Sequence, residues 1–296
     1  MYVPDANLVL TLLKAKGKTR LLPPAYQQYL AITRRQVGVH WQERKRYIPV
    51  DATLAAVELS QSGSRALNRS KFEEYFYDYI KVVHGIFNVA PEWVDGFFEP
   101  LSRGIASQLP SLAAVFEKAL QLIPPGDTAS DAQVEAACDE LFGWLISQKN
   151  ELSLIGGPSL YASVYAIAGS PDARRVLKVH EARKTGPNAV AWNVAWDFMY
   201  LHHMDNLHIH QKYDHNIFCT ADGALATLMA SRTHTGPKYC PDTVSATGSI
   251  ESHWELEPFK FRKLDGTKLS RRIAEKYGET MIEIASTTRD VITVGF

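Results

Sequence analysis

The chain has no excess charge of either sign: 32 lysines and arginines stand against 32 aspartates and glutamates. A global positive field that would draw nucleic acid non-specifically is thereby excluded, and any contact with phosphates must come from local clusters. Cysteine is scarce. Cys138, Cys219 and Cys240 are an odd number with no CxxC spacing, which excludes a disulfide framework and fits a reducing, cytoplasmic location. Long apolar runs are missing too. The longest uncharged stretch, from Leu152 to Pro171, is interrupted by Gly156-Gly157-Pro158 and by serines. It reads as a buried helix rather than a membrane span, so no membrane partner is expected. The first residues read as a strand, not as a secretion signal. Gly17-Lys18-Thr19 is not a phosphate-binding loop, because Leu12 stands where such a loop needs glycine. What remains is an ordinary globular composition, 46% apolar and 22% charged over 296 residues, enough for one large domain or two smaller ones.

The informative residues are acids in places where acids are costly. Asn216 to Leu225 reads as a short apolar strand, then Thr220-x-Asp222, then a helix opening at Gly223. Open α/β sheets present their chemistry at such strand ends. Tyr2-Val3-Pro4-Asp5-Ala6-Asn7 repeats the design at the start of the chain. Glu58 lies in an Ala/Leu-rich helical run, and Asp197 in the almost wholly apolar helical run Ala191 to Leu201, with Asn193 one turn before it. Carboxylates are rarely buried without partners. Each acid also has a structural reading: Asp5 as a helix N-cap, Asp222 as a turn residue, Glu58 and Asp197 as partners of buried arginines.

Taken together, strand–Asp5-x-Asn7, helix–Glu58, helix–Asp197 and strand–Thr220-x-Asp222 resemble the four-acid pattern of the PIN-domain metal-dependent ribonucleases, in order and in element type. The likeness covers about 1–65 and 188–230. It departs from the family in the gap between Glu58 and Asp197, which is well over a hundred residues here against a few dozen there. The resemblance implies an α/β fold, an open, mostly parallel sheet flanked by helices. It divides the chain into a discontinuous nuclease core, 1–68 and 186–296, and an inserted all-helical lobe, 69–185.

The resemblance also implies the chemistry, metal-dependent endoribonuclease activity. Asp5, Glu58, Asp197 and Asp222 would be the catalytic acids and metal ligands, with Asn7, Thr220 and Asn193 orienting them from behind. Four convergent carboxylates repel one another, and Mg2+ or Mn2+, hard ions that prefer oxygen, relieve the repulsion and activate water for phosphodiester hydrolysis. Such activation needs no protein base. The implied substrate is single-stranded or structured RNA, tRNA included. A toxin or phage-defence effector, restrained by an inhibitory protein partner, is the implied role, and a homo-oligomer is compatible with it. Arg34, Arg35, Arg44, Lys45 and Arg46 are candidate phosphate contacts, as are Arg174-Arg175 with Lys178, Arg183-Lys184 and Arg271-Arg272, although such clusters are commonly solvated surface.

Two other classes stay open. One is a catalytically inactive PIN-like module that binds RNA or protein. The other is a zinc hydrolase built on His202-His203-x-Asp205-x-x-His208-x-His210-x-x-x-Asp214-His215, a run rich in possible ligands but without HExxH or a cysteine pair.

Helical spacing predicts helices at 6–14, from Pro23-Pro24 through Arg35, around Glu58, and through 69–185. Within that last region the expectations are a Ser70-x-x-Glu73 capping box, a short aromatic helix from Pro91, another at 111–123, one from Ser130 to Lys149, one at 158–168, and one from Pro171 through Lys184. Tyr47–Val50 and Val291–Val294 read as strands, 232–248 as a loop and 267–286 as a helix.

Overall fold

The computed structural model describes residues 2–15, 18, 20, 22–42, 50–61, 65–84, 91–125, 129–148, 151–152, 157–209 and 217–230. The expectations for 232–248, 267–286 and 291–294 lie outside these residues, as do all but Val50 of the strand at 47–50. Among the described residues there are eleven helices and two strands: β1 (Tyr2–Pro4), α1 (Ala6–Lys14), α2 (Pro24–Gln42), α3 (Thr53–Ser60), α4 (Arg69–His84), α5 (Pro91–Leu122), α6 (Asp131–Ser147), α7 (Gly157–Ile167), α8 (Pro171–Val176), α9 (Val179–Thr185), α10 (Pro187–Ile209), β2 (Ile217–Cys219) and α11 (Gly223–Ala230).

This corrects the expected α/β class. The fold is mostly helical, and its only named sheet among the described residues is the parallel pair β1–β2. Both strands are three residues long. β1 stops because Asp5 caps α1 immediately after it, and only Thr220, Ala221 and Asp222 separate β2 from α11. Strands that short supply few ladder bonds, so the apolar faces of the helices carry the packing.

The chain divides into two compact units. Met1–Ala106 with His202–Gly223 make the first, and Ser107–Leu201 with the segment from Ala224 onward make the second. The span 69–185, expected as one insertion, contributes to both, and its described residues form helices and their connections.

In the first unit α1, α3 and α4 pack around Leu8, Val9, Leu12, Ala55 and Tyr79. Tyr29 of α2 and Tyr79 of α4 share a buried hydroxyl–hydroxyl hydrogen bond of 2.5 Å, so neither phenol is buried without a partner. Arg34 donates to the carbonyl of Val82 at 2.8 Å, closing an end of α4. At the other end of that helix Asn68 Oδ1 accepts from the Lys71 amide at 3.0 Å, and Glu73 pairs with Arg69. Asn68 therefore takes the capping role expected of Ser70, which lies inside the helix, as asparagine caps at least as well as serine.

In the second unit α6, expected from Ser130, is capped by Ser130 and Gln133 bonding each other's backbone N–H, and buries Val134, Cys138, Leu141 and Leu145. The aromatic helix from Pro91 and the helix at 111–123 prove to be one, α5. Pro110 removes an amide from its interior, costing about 3 kcal/mol. Leu109, Leu112, Val115 and Phe116 are all within 1% of full burial, and each contributes on the order of 2 kcal/mol, which offsets the loss. The single helix expected from Pro171 is broken into α8 and α9. Lys178, at the break, has φ 53, a left-handed conformation that no other non-glycine residue adopts among those described. Its ammonium reaches Asp197, and no glycine or proline stands at the break.

Candidate functional site

β1 and β2 pair in parallel register, Tyr2 with Ile217, Val3 with Phe218 and Pro4 with Cys219. The Asp5 amide extends the ladder by donating to the Cys219 carbonyl at 2.9 Å. Because the strands are parallel, their carboxyl ends emerge together, and Asp5 leaves beside Thr220. Asp5 is 1% exposed. Its backbone is extended, and its side chain caps α1: Oδ1 accepts from the Leu8 amide at 2.7 Å. The positive end of the helix therefore faces the carboxylate. Thr220 donates its hydroxyl to Asp5 Oδ2, and the same hydroxyl oxygen accepts the Asp222 amide at 2.9 Å. Thr220-x-Asp222 thus works as a unit, its hydroxyl fixing one aspartate while its turn sets the backbone of the next. Asp222 itself is half-buried.

The charge on Asp5 is felt by its neighbours. Burial, and then the Asp5 carboxylate, push the Cys219 thiol up to about 12. Burial first, with Tyr79, Cys219 and Asp5 adding to it, raises the Tyr29 phenol well above its ordinary value.

The other expected site residues are distributed as follows. Glu58 is half-buried on α3, in the same unit as Asp5 and Asp222. Asn7 and Asn193 are exposed, and the backbone carbonyl of Asn7 accepts from the Thr11 hydroxyl. Asp197 is 8% exposed and belongs to the second unit. Lys178 Nζ lies 2.9 Å from its Oδ2. Arg34 bonds the Val82 carbonyl, Arg35 is exposed, and Arg44, Lys45 and Arg46 lie outside the described residues. Of the histidine run, His202, His203 and His208 lie on α10, while His210, Asp214 and His215 fall outside the described residues.

One pair was not legible in the sequence. His203 Nε2 lies 3.0 Å from Asp51 Oδ2, the side chains 19% and 18% exposed. Thr53 donates both its amide, at 3.0 Å, and its hydroxyl, at 2.6 Å, to Asp51 Oδ1. Burial alone would raise Asp51; the hydrogen bond and charge of His203, with the two Thr53 bonds, outweigh it and hold the carboxyl down to about 2. Asp51 stands directly after Val50, which bridges Tyr2 in parallel, so it too is an aspartate that follows a residue paired into the strands. That position was the available signal, but 152 residues separate it from His203.

Among the described residues no three histidine, cysteine, aspartate or glutamate side chains form a group able to hold a metal ion. The oxygen donors of Asp5 and Asp222 still suit a magnesium-type ion, which binds through one or two carboxylates and keeps several waters. No protein-family model, curated protein or solved structure matches the chain. Among the described residues no helix is long and apolar enough to cross a membrane.

Proposed function

We propose that this chain is a divalent-metal-dependent phosphodiesterase acting on RNA, with its reactive centre at the carboxyl ends of β1 and β2. The observation that carries this reading is the hydrogen bond from the Thr220 hydroxyl to the buried Asp5 carboxylate, with Asp222 following on the same turn. Asp5 and Asp222 would hold the ion, and Glu58, on α3 of the same unit, is the further acid that the PIN-type pattern brings to it. Thr220 and the Leu8 amide orient Asp5, and the amino terminus of α1 favours its ionised form. When bound, a magnesium or manganese ion supplies Lewis acidity toward a phosphate oxygen and toward water. RNA as the substrate class follows from the resemblance in sequence.

The test is incubation of the purified chain with total cellular RNA and with tRNA, in magnesium, manganese or EDTA. Cleavage with either ion and none in EDTA is expected; equal cleavage in EDTA would contradict the metal role. A second reading, a binding module whose acids serve the fold, is favoured by a specific observation: Asp5 caps a helix and Asp197 is matched by Lys178. Binding of RNA or a protein without cleavage under any ion would make it the better one.

A further inference from the structure

We propose that His203 and Asp51 form the proton-transfer pair of this reaction, the imidazole accepting a proton from the attacking water and the carboxylate anchoring the ring. The proposal rests on the phosphodiesterase reading above.

The placement comes from the strand register. Tyr2 pairs with Ile217 on one side and with Val50 on the other, so the segment carrying Asp51 flanks β1 opposite β2. The Asp51 amide donates to the Tyr2 carbonyl at 2.8 Å, continuing that pairing. With Val50 level with Tyr2, Asp51 is level with Val3, two residues short of Asp5. Two residues advance roughly 6.6 Å and neighbouring strands lie roughly 4.8 Å apart, so the two aspartate Cα atoms are about 8 Å from each other. Alternate residues of a strand share a face, which puts Asp51, Asp5 and Thr220 on one side of the strand ends. We place the attacking water on that side, toward the Asp51 carboxylate and the histidine bonded to it.

The chemistry comes from the hydrogen bonds. An ionised carboxylate only accepts, and Asp51 is held ionised, so Nε2 of His203 is the donor. In the neutral ring Nδ1 is then the basic nitrogen. A base oriented by a carboxylate that is itself fixed by a third group, here Thr53 through two bonds, is the arrangement by which proton-transfer histidines are held in one tautomer. Partial exposure leaves the ring open to exchange with solvent. In the step itself, the water oxygen forms a bond to phosphorus and the phosphorus–oxygen bond to the departing sugar breaks. The proton of the water passes to Nδ1, the departing oxygen takes a proton from solvent, and the imidazolium returns its proton to solvent.

The experiment compares wild type, His203→Ala and His203→Gln in the full chain, cleaving tRNA with manganese, with and without added imidazole. Thermal melting is run on each variant. Loss of a general base costs about 10²-fold or more. His203→Ala should lose that much, and free imidazole should restore the rate in proportion to its concentration, which a merely structural histidine would not allow. His203→Gln keeps an amide donor toward Asp51 but cannot take a proton, so it should melt like wild type and still lose the rate. If His203→Gln cleaves within threefold of wild type, or if imidazole restores nothing to a folded His203→Ala, the pair has no catalytic role and the metal-centred reading stands alone. If wild type cleaves nothing with any ion, both fall together.

Discussion

The strand ends of the first unit and the apolar part of α10 that lies in the second each bury an aspartate, and they stabilise it by different means. Asp5 is held by an amide and a hydroxyl. Such dipoles favour the ionised form, and the charge acts on Cys219 and Tyr29. Asp197 meets a full ammonium at 2.9 Å. Lys178 itself has a left-handed backbone at φ 53, which costs roughly 1–2 kcal/mol for a residue with a Cβ. The second arrangement joins the start of α9 to α10 and leaves a neutral pair. Burial of an acid therefore says little about function by itself; the kind of partner distinguishes an anion held by dipoles from one paired with an ammonium.

The largest effect expected from this contrast is on activity. Asp222→Asn keeps the size and polarity of the side chain and the backbone amide that bonds Thr220, so melting should be unchanged. Removing one charge from the proposed ion site should lower metal-dependent RNA cleavage by roughly 10²–10³-fold, about 3–4 kcal/mol of barrier. Cleavage at the wild-type rate would remove the distinction between the strand ends and the rest of the molecule.

The matched pair should instead show its effect in stability. Lys178→Met leaves Asp197 buried with its cation gone, and breaking a buried pair in this way costs about 3 kcal/mol. The double variant Lys178→Met, Asp197→Leu should recover most of that, since two apolar side chains need no charge balance. Denaturant unfolding of the three variants measures it; a loss under about 1 kcal/mol for the single variant would show that the pair is solvated like a surface one.

Asp51 combines both means, dipoles from Thr53 and a histidine. Its folded pKa, about 2, lies below its ordinary value of 3.8. A depressed carboxylate contributes stability that is fully present above the unfolded value and lost as pH falls through the folded one. Each tenfold change in proton affinity is worth roughly 1.4 kcal/mol. Stability of about 2 kcal/mol should therefore disappear between about pH 4 and pH 2. Asp51→Asn should flatten that limb of a pH series of unfolding curves, and an unchanged limb would mean that Asp51 is not held down.

The parts of this picture that are local were legible in the sequence. Asp5 after an apolar run and before a helix reads as both a strand end and a cap, and it is both. The helical spacing from Ser130 announces α6. Thr220-x-Asp222 carries its own turn. The parts that depend on distant partners were not. Nothing near Lys178 signals the break, and its ion pair with Asp197 is a contact made only in the folded chain. Asp51 and His203 carry no shared pattern. A larger sheet is easily overread here because three-residue strands have too few alternations to separate them from the flanks of helices, and the helical spacing around them is the stronger signal.

The smallest expected effect bears most directly on how Asp5 is held. Asparagine caps a helix about as well as aspartate, whereas alanine does not cap, a difference of roughly 1–2 kcal/mol. Asp5→Ala should therefore unfold earlier in denaturant than Asp5→Asn, which keeps the cap and loses only the acceptor for the Thr220 hydroxyl, about 1 kcal/mol. The charge is read separately, at Cys219. In Asp5→Asn the contribution of the carboxylate is gone while burial remains, so the thiol should titrate below about 12 yet still above its ordinary value of 9.0. The rate of alkylation of Cys219 against pH, in a variant whose Cys138 and Cys240 are replaced by serine or alanine, measures that change. If Asp5→Asn destabilises as much as Asp5→Ala, the ionised carboxylate and not its acceptor geometry secures α1. If the Cys219 profile does not move, the negative charge assigned to Asp5 is already cancelled where it stands, and the strand ends hold their aspartate in the same manner as α10 does.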